Sequence, residues 1–328
     1  MKRVSVFILV ACMAIALAAV APAGESDSWD LDGVSGIRID GVSGDVVIKP
    51  ADGAGARVEI YSDIHPEANF KPVVKRSGDV LRIKEKWSHN TSGELVWTIY
   101  LPRRGTPLDV RISTASGDLS CSGVALKVDF ETASGDIELS EVELGAGCDF
   151  STASGDYSIS GMTISEDSEF STASGDFDLE DLVVEADCEF STASGDIDIK
   201  RCSFGDGVEF SSASGDVSLH NSTLTGEGEL STASGDVHVS LDKMPPHGLS
   251  ASSASGDVTF AVDSYGDDFT LIITKRKDKG HIRCPFDYAK EEEFNRNHHT
   301  YVRKVVKRGS GKPVVELSTA SGSVVVKQ

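Results

Sequence analysis

Eight aspartates recur at one place in a repeated line of this 328-residue chain. Asp118, Asp136, Asp156, Asp176, Asp196, Asp216, Asp236 and Asp257 each follow a Ser-Gly pair. A second acidic series, Asp129, Asp149, Glu169, Glu189, Glu209 and Glu229, runs just ahead of a row of bulky apolar residues. Carboxylates at a fixed pitch admit two chemistries. Stacked strands lie about 4.8 Å apart. At that pitch Asp136, Asp156, Asp176, Asp196, Asp216 and Asp236 would form a ladder of hard oxygens suited to Ca²⁺. Ca²⁺ is the one cofactor this spacing admits, although the G-G-x-G-x-D nonapeptide of calcium-binding β-rolls is missing. The same pitch, about 5 Å, matches the carboxylate pair of a retaining glycosidase. A catalytic pair needs two environments that push the pKa values apart. Here every copy repeats the same surroundings, so an enzyme is not expected. The plainer reading is a turn-forming Asp on a solvated face. Neighbouring carboxylates repel by about 1 kcal/mol in water, and the chain accepts that at every copy.

Other candidates are weaker. Thr132, Thr152, Thr172, Thr192 and Thr232 form a ladder that could order water, or could equally face inward; Ser212 interrupts it. His298 and His299 are adjacent, and adjacent histidines rarely ligate one ion. No G-x-S-x-G, Walker, H-E-x-x-H or dinucleotide fingerprint is present.

The elements that must position these residues follow from the spacing. The glycine of Ser-Gly-Asp stands at Gly117, Gly135, Gly155, Gly175, Gly195, Gly215, Gly235 and Gly256, at intervals of 18, 20, 20, 20, 20, 20 and 21 residues. A fixed period near 20 marks stacked repeats. Phe150, Phe170, Phe190 and Phe210 hold the place five residues before the glycine. Short runs after it alternate apolar and polar, which is strand spacing. One such unit cannot bury its apolar face alone but can bury it against the next copy. The expected fold is all-β: a parallel β-solenoid with rungs of about 20 residues and an N-terminal β cap. Gly135, Gly155, Gly175, Gly195, Gly215 and Gly235 are expected at a corner that needs positive φ. Phe150 and Tyr157 lie an odd number of positions apart, so a bend must separate them. Whether Thr152 and Ser154 or instead Ala153 faces inward stays open.

Lys2 and Arg3, an apolar run from Val4 to Val20, and Ala21-Pro22-Ala23 read as a secretory signal peptide over residues 1–23. Residues 24–110 read as an N-terminal β cap or small β domain, 111–265 as the regular array, 266–312 as a basic insertion and 313–328 as a final rung. The insertion holds 12 Lys and Arg. It reads as a solvated loop, as a segment docking on the acidic array, or as a ligand or metal site. Five cysteines follow the leader, an odd number. Cys148 and Cys188 lie two repeats apart, too far for a disulfide, and read as small buried residues. Residues 111–260 carry 29 Asp and Glu against 5 Lys and Arg, a net of −24. Such a surface repels nucleic acid.

The "STASGDIDI" lines, with "IYLPRRGTPLDVRISTASGD" leading in, resemble the bacterial putative adhesin family of β-strand-repeat proteins, a domain-of-unknown-function family. The resemblance covers about residues 30–328 and is strongest from Ala115 to Asp257. It implies an exported or envelope-associated β-solenoid without known catalytic residues. The expected function is therefore a non-enzymatic, adhesin-like binding surface of the cell envelope, in the periplasm, at the cell surface or outside the cell. Its expected partner is a cell-surface or matrix component, polysaccharide or protein. No nucleic acid and no integral membrane segment after leader cleavage are expected, and self-association is open. The alternatives are a periplasmic scaffold assembling through its basic insertion and acidic array, and a carbohydrate-active β-helix enzyme.

Overall fold

The structure, a computed structural model, describes residues 27–53, 55–88, 91–103 and 107–328. The expected leader, residues 1–23, lies outside them. Among the described residues every element is a β-strand except the 3₁₀ turn Glu67–Asn69, and most strand pairs are parallel. The chain is thus all-β, with a long, mostly parallel, open sheet.

In the middle of the chain the strands repeat in threes. Asp149–Thr152, Tyr157–Ser160 and Thr163–Ile164 pair in parallel with Ser168–Thr172, Phe177–Glu180 and Val183–Ala186. Those pair in turn with Cys188–Thr192, Ile197–Lys200 and Ser203–Asp206. Like residues therefore face each other: Phe150 pairs with Phe170, Phe170 with Phe190 and Phe190 with Phe210. Their rings stack with centroids 4.9, 4.8 and 5.2 Å apart. Ile112 continues this column before Phe130, and Leu230, Ala251, Leu317 and Ile273 continue it beyond Phe210. Each buried aromatic removes apolar surface from water at about 25 cal/mol per Å². A single three-strand turn gains this only through its neighbours.

The odd spacing between Phe150 and Tyr157 is absorbed at the corner. Phe150, Thr152, Gly155 and Tyr157 are buried, while Ala153 and Ser154 are both exposed. Two consecutive outward residues reset the alternation, and Thr152 faces in.

At both ends the spatial order departs from the chain order. Val80–Trp87 and Leu95–Leu101 pair in parallel with the earlier strands Gly36–Asp40 and Asp45–Pro50. Those lie against Leu108–Ser113 and Leu119–Ser122. The C-terminal strand Val314–Thr319 lies between Leu249–Ser253 and Phe269–Arg276. The basic segment is not a loop. Phe269–Arg276 pairs antiparallel with His299–Arg308, which pairs antiparallel with Lys290–Arg296.

Candidate functional site

The corner sequence Thr-x-Ser-Gly-Asp builds three ladders, each with its own physical cause. The threonine is the first. Thr172 Oγ1 donates to the Gly155 carbonyl at 3.2 Å and accepts the Gly175 N–H at 3.0 Å. Thr152, Thr192 and Thr232 repeat both bonds, and Ser212 and Ser253 supply the same hydroxyl. These side chains are buried, so they stitch the corner from within and are not available to order water.

The glycine is the second ladder, and its reason differs from the expected one. None of Gly135, Gly155, Gly175, Gly195, Gly215 and Gly235 has positive φ. Each instead lies so close to the glycine before it that a Cβ would overlap that residue's carbonyl oxygen. The positive-φ corner is elsewhere, at Glu141, Gly161, Asp181, Arg201 and Asn221, with φ of 54, 61, 56, 55 and 49°. The glycine column runs on to Gly322 stacked over Gly256, and Gly280 stacked over Gly322. Residues 266–312 thus contribute the outermost member of the column.

The aspartate is the third ladder. The Asp196 N–H donates to Asp176 Oδ1 at 2.8 Å, and Asp156, Asp176, Asp216, Asp236 and Asp257 bond their predecessors in the same way. One oxygen of each of Asp136, Asp156, Asp176, Asp196, Asp216 and Asp236 is therefore engaged by an amide. Ca²⁺ takes six to eight oxygens, and among the described residues no three His, Cys, Asp or Glu side chains converge on a point.

One end of this system is closed by a residue that the repeat pattern does not announce. Ahead of the array, a further Ser-Gly-Asp at Ser43-Gly44-Asp45 has Gly41 where the corner threonine would stand. The carboxylate of Glu85 fills the gap. Its Oε2 accepts from the Val42 and Ser43 amides and Trp87 Nε1, and its Oε1 accepts from Trp97 Nε1. A buried charge is tolerated when its oxygens are this fully bonded.

Four of the thiols are poor nucleophiles. Cys121, Cys148, Cys188 and Cys202 are buried and unpaired. Burial pushes Cys121 up to about 12, and Cys188 and Cys202 up to about 11, so they stay protonated at neutral pH.

The outward face of the sheet holding the Phe column carries two parallel rows. One is acidic: Asp149, Glu169, Glu189, Glu209 and Glu229 in register. Burial and the neighbouring Asp129 and Glu131 raise the Asp149 carboxyl. The other is hydroxylic: Ser191, Ser211, Ser231, Ser252 and Ser318. Over this second row lies an open groove of about 1040 Å³. Its wall is the hairpin of Lys290–Arg296 and His299–Arg308, which presents Phe294, Arg296, Asn297, Tyr301 and Arg303. The Phe294 and Tyr301 rings stack at 5.7 Å, and the Arg303 guanidinium covers Phe294 at 4.9 Å.

Residues 34–282 match the Toastrack DUF4097 family model. The chain belongs to the Toastrack family. No curated protein matches it. Among solved structures it is similar to a putative adhesin from Parabacteroides merdae, 11% identical with TM-score 0.42, over 93% of this chain and 96% of that one. A putative adhesin from Parabacteroides distasonis is 14% identical with TM-score 0.40, over 93% and 98%. A putative lipid binding protein from the same species is 11% identical with TM-score 0.34, over 93% and 97%. Among the described residues of this Toastrack chain, no helix is long and apolar enough to cross a membrane.

The sequence points to the acidic ladders and the Phe column of this Toastrack protein. A ligand site is one of three readings of residues 266–312, but the sequence singles out no residue of the groove wall. The available signal was an aromatic residue in each of two charged, alternating runs, "KEEEFNR" and "HTYVRKVVKR".

Proposed function

We propose that this Toastrack protein is a non-enzymatic, exported module that offers the cell envelope an extended binding surface. Each circuit of about 20 residues and three strands is one equivalent unit. The segment before residue 111 covers one end, and residues 1–23 are a cleaved leader. The observation that carries the reading is the register of the outward rows. Asp149 to Glu229 and Ser191 to Ser318 repeat the same groups at strand pitch on one sheet face. Equivalent weak contacts in a row convert repetition into avidity. A hydrolase would need one circuit unlike the others, and the central corners are chemically alike.

Protease digestion of intact producing cells tests the location, with an epitope tag at Gly53, where the turn is open. Loss of the tag without lysis is expected for a surface module. Protection until the outer barrier is opened would contradict surface display and would favour a periplasmic scaffold.

A further inference from the structure

We propose that the groove between the serine row and the Lys290–Arg308 hairpin binds a neutral polysaccharide chain, an inference that rests on the envelope-module reading above. The floor offers a row of hydroxyls that the fold itself does not use. The corner hydroxyls of Thr192, Ser212 and Thr232 are spent on backbone groups. The hydroxyls of Ser191, Ser211, Ser231, Ser252 and Ser318, one residue before each corner hydroxyl, have no hydrogen-bond partner among the described residues. They are half-buried and line the groove. Each can donate one hydrogen bond and accept two. Beside them run the methyl groups of Ala193, Ala213, Ala233 and Ala254.

The wall adds what a row of hydroxyls lacks. The stacked Phe294 and Tyr301 rings, with Arg303 over Phe294, give the wall a half-buried aromatic surface, and Arg296 and Asn297, both exposed, supply further donors and an acceptor. Among the described residues Arg296 makes no ion pair. A sugar ring has apolar C–H faces and a rim of hydroxyls, and this combination meets both. A groove of about 1040 Å³ is at the upper end of small-ligand sites, which run about 300–1,000 Å³. Its floor continues through five successive strands, so a chain fits it better than a single sugar.

Charge and edges decide against other polymers. An anionic chain would meet Arg296 and Arg303 on the wall but also Glu316 in the groove and the row Glu189, Glu209 and Glu229 beside it, a net repulsion. A cationic chain would meet Arg296 and Arg303. A peptide strand binds by pairing its backbone with a free sheet edge. Here the floor is a sheet face whose strands are already paired on both sides.

The test is affinity gel electrophoresis of residues 24–328 in gels cast with hydroxyethyl cellulose, laminarin or dextran, and with alginate as the anionic probe. Retardation by at least one neutral glycan and none by alginate is expected. Tyr301→Ala on the wall and Ser231→Glu on the floor should each weaken it at least tenfold at an unchanged melting temperature. Ser158→Glu, on the outward face of the other sheet, should leave it intact. Absence of retardation in all three neutral gels, stronger retardation by alginate, or equal binding by the groove variants would overturn the proposal. Binding to intact envelopes measured alongside separates the two readings. Envelope binding without glycan binding ends this inference alone, and trypsin-sensitive envelope binding that needs Tyr301 would assign the groove to a protein instead.

Discussion

Gly175 sits directly on Gly155, and a methyl group built on Gly175 would overlap the Gly155 carbonyl oxygen. The same contact recurs along the glycine column, so the corner selects glycine for closeness and not for backbone sign. Gly175→Ala should cost about 3 kcal/mol, the scale of an overpacked core site. Gly161, at φ 61° with open space around its missing Cβ, should behave differently. Gly161→Asn should cost less than about 1 kcal/mol, because Asn tolerates the left-handed region. Urea titrations of the two variants check this, and equal losses would refute the distinction.

Thr172 predicts a contrast between two small changes. Thr172→Val keeps the volume but strands the Gly155 carbonyl and the Gly175 amide. Each unsatisfied buried group costs about 1–3 kcal/mol, so the loss should be at least 2 kcal/mol. Thr172→Ser should be nearly neutral, since Ser212 and Ser253 already do this work. Chemical denaturation of both variants measures it.

The aspartate ladder makes an amide-acceptor prediction. Asp176→Asn keeps an oxygen for the Asp196 amide and removes one repelling charge, so stability should hold or rise slightly. Asp176→Ala removes the acceptor and should lose about 1 kcal/mol. At equal ionic strength NaCl and CaCl₂ should raise the melting temperature alike, through screening. A rise specific to Ca²⁺ would place a cation on the carboxylate oxygens that the amides leave free.

Asp149 sets a pH dependence. Its carboxyl is raised above 3.8 by burial first and then by Asp129 and Glu131. A raised acid binds its proton more tightly in the folded chain, so its ionisation costs stability as pH rises through the window above 3.8. Asp149→Asn should therefore stabilise at pH 7 by about 0.5 kcal/mol, the scale of opposed like charges on a sheet. The gain should vanish as pH falls below that window. A gain independent of pH would assign it to another cause.

Much of this was legible because stacking copies the sequence period into space. Phe150, Phe170, Phe190 and Phe210 share one column since a parallel register sets like on like. What was hidden depends on distance or on chain order. Glycine spacing cannot say whether a residue is chosen for φ or for close approach. Strands of similar composition also do not announce that Val314–Thr319 slips inside Phe269–Arg276. The groove wall was not singled out because Phe294 and Tyr301 sit among Glu, Lys and Arg, a pattern equally compatible with a solvated loop, a docking segment or a ligand site until the hairpin is seen beside the serine row.

The central claim is that one circuit is a complete and interchangeable unit. Deleting residues 161–180 would join Ser160 to Asp181 and bring Phe150 against Phe190 in the same register. Thermal unfolding followed by circular dichroism is the direct measurement, with deletion of residues 161–170 as its companion. The account predicts that the 20-residue deletion folds cooperatively with its β signal intact, while the half-circuit deletion loses its melting transition. A 20-residue deletion that fails to fold, or a half-circuit deletion as stable as the full chain, would contradict it.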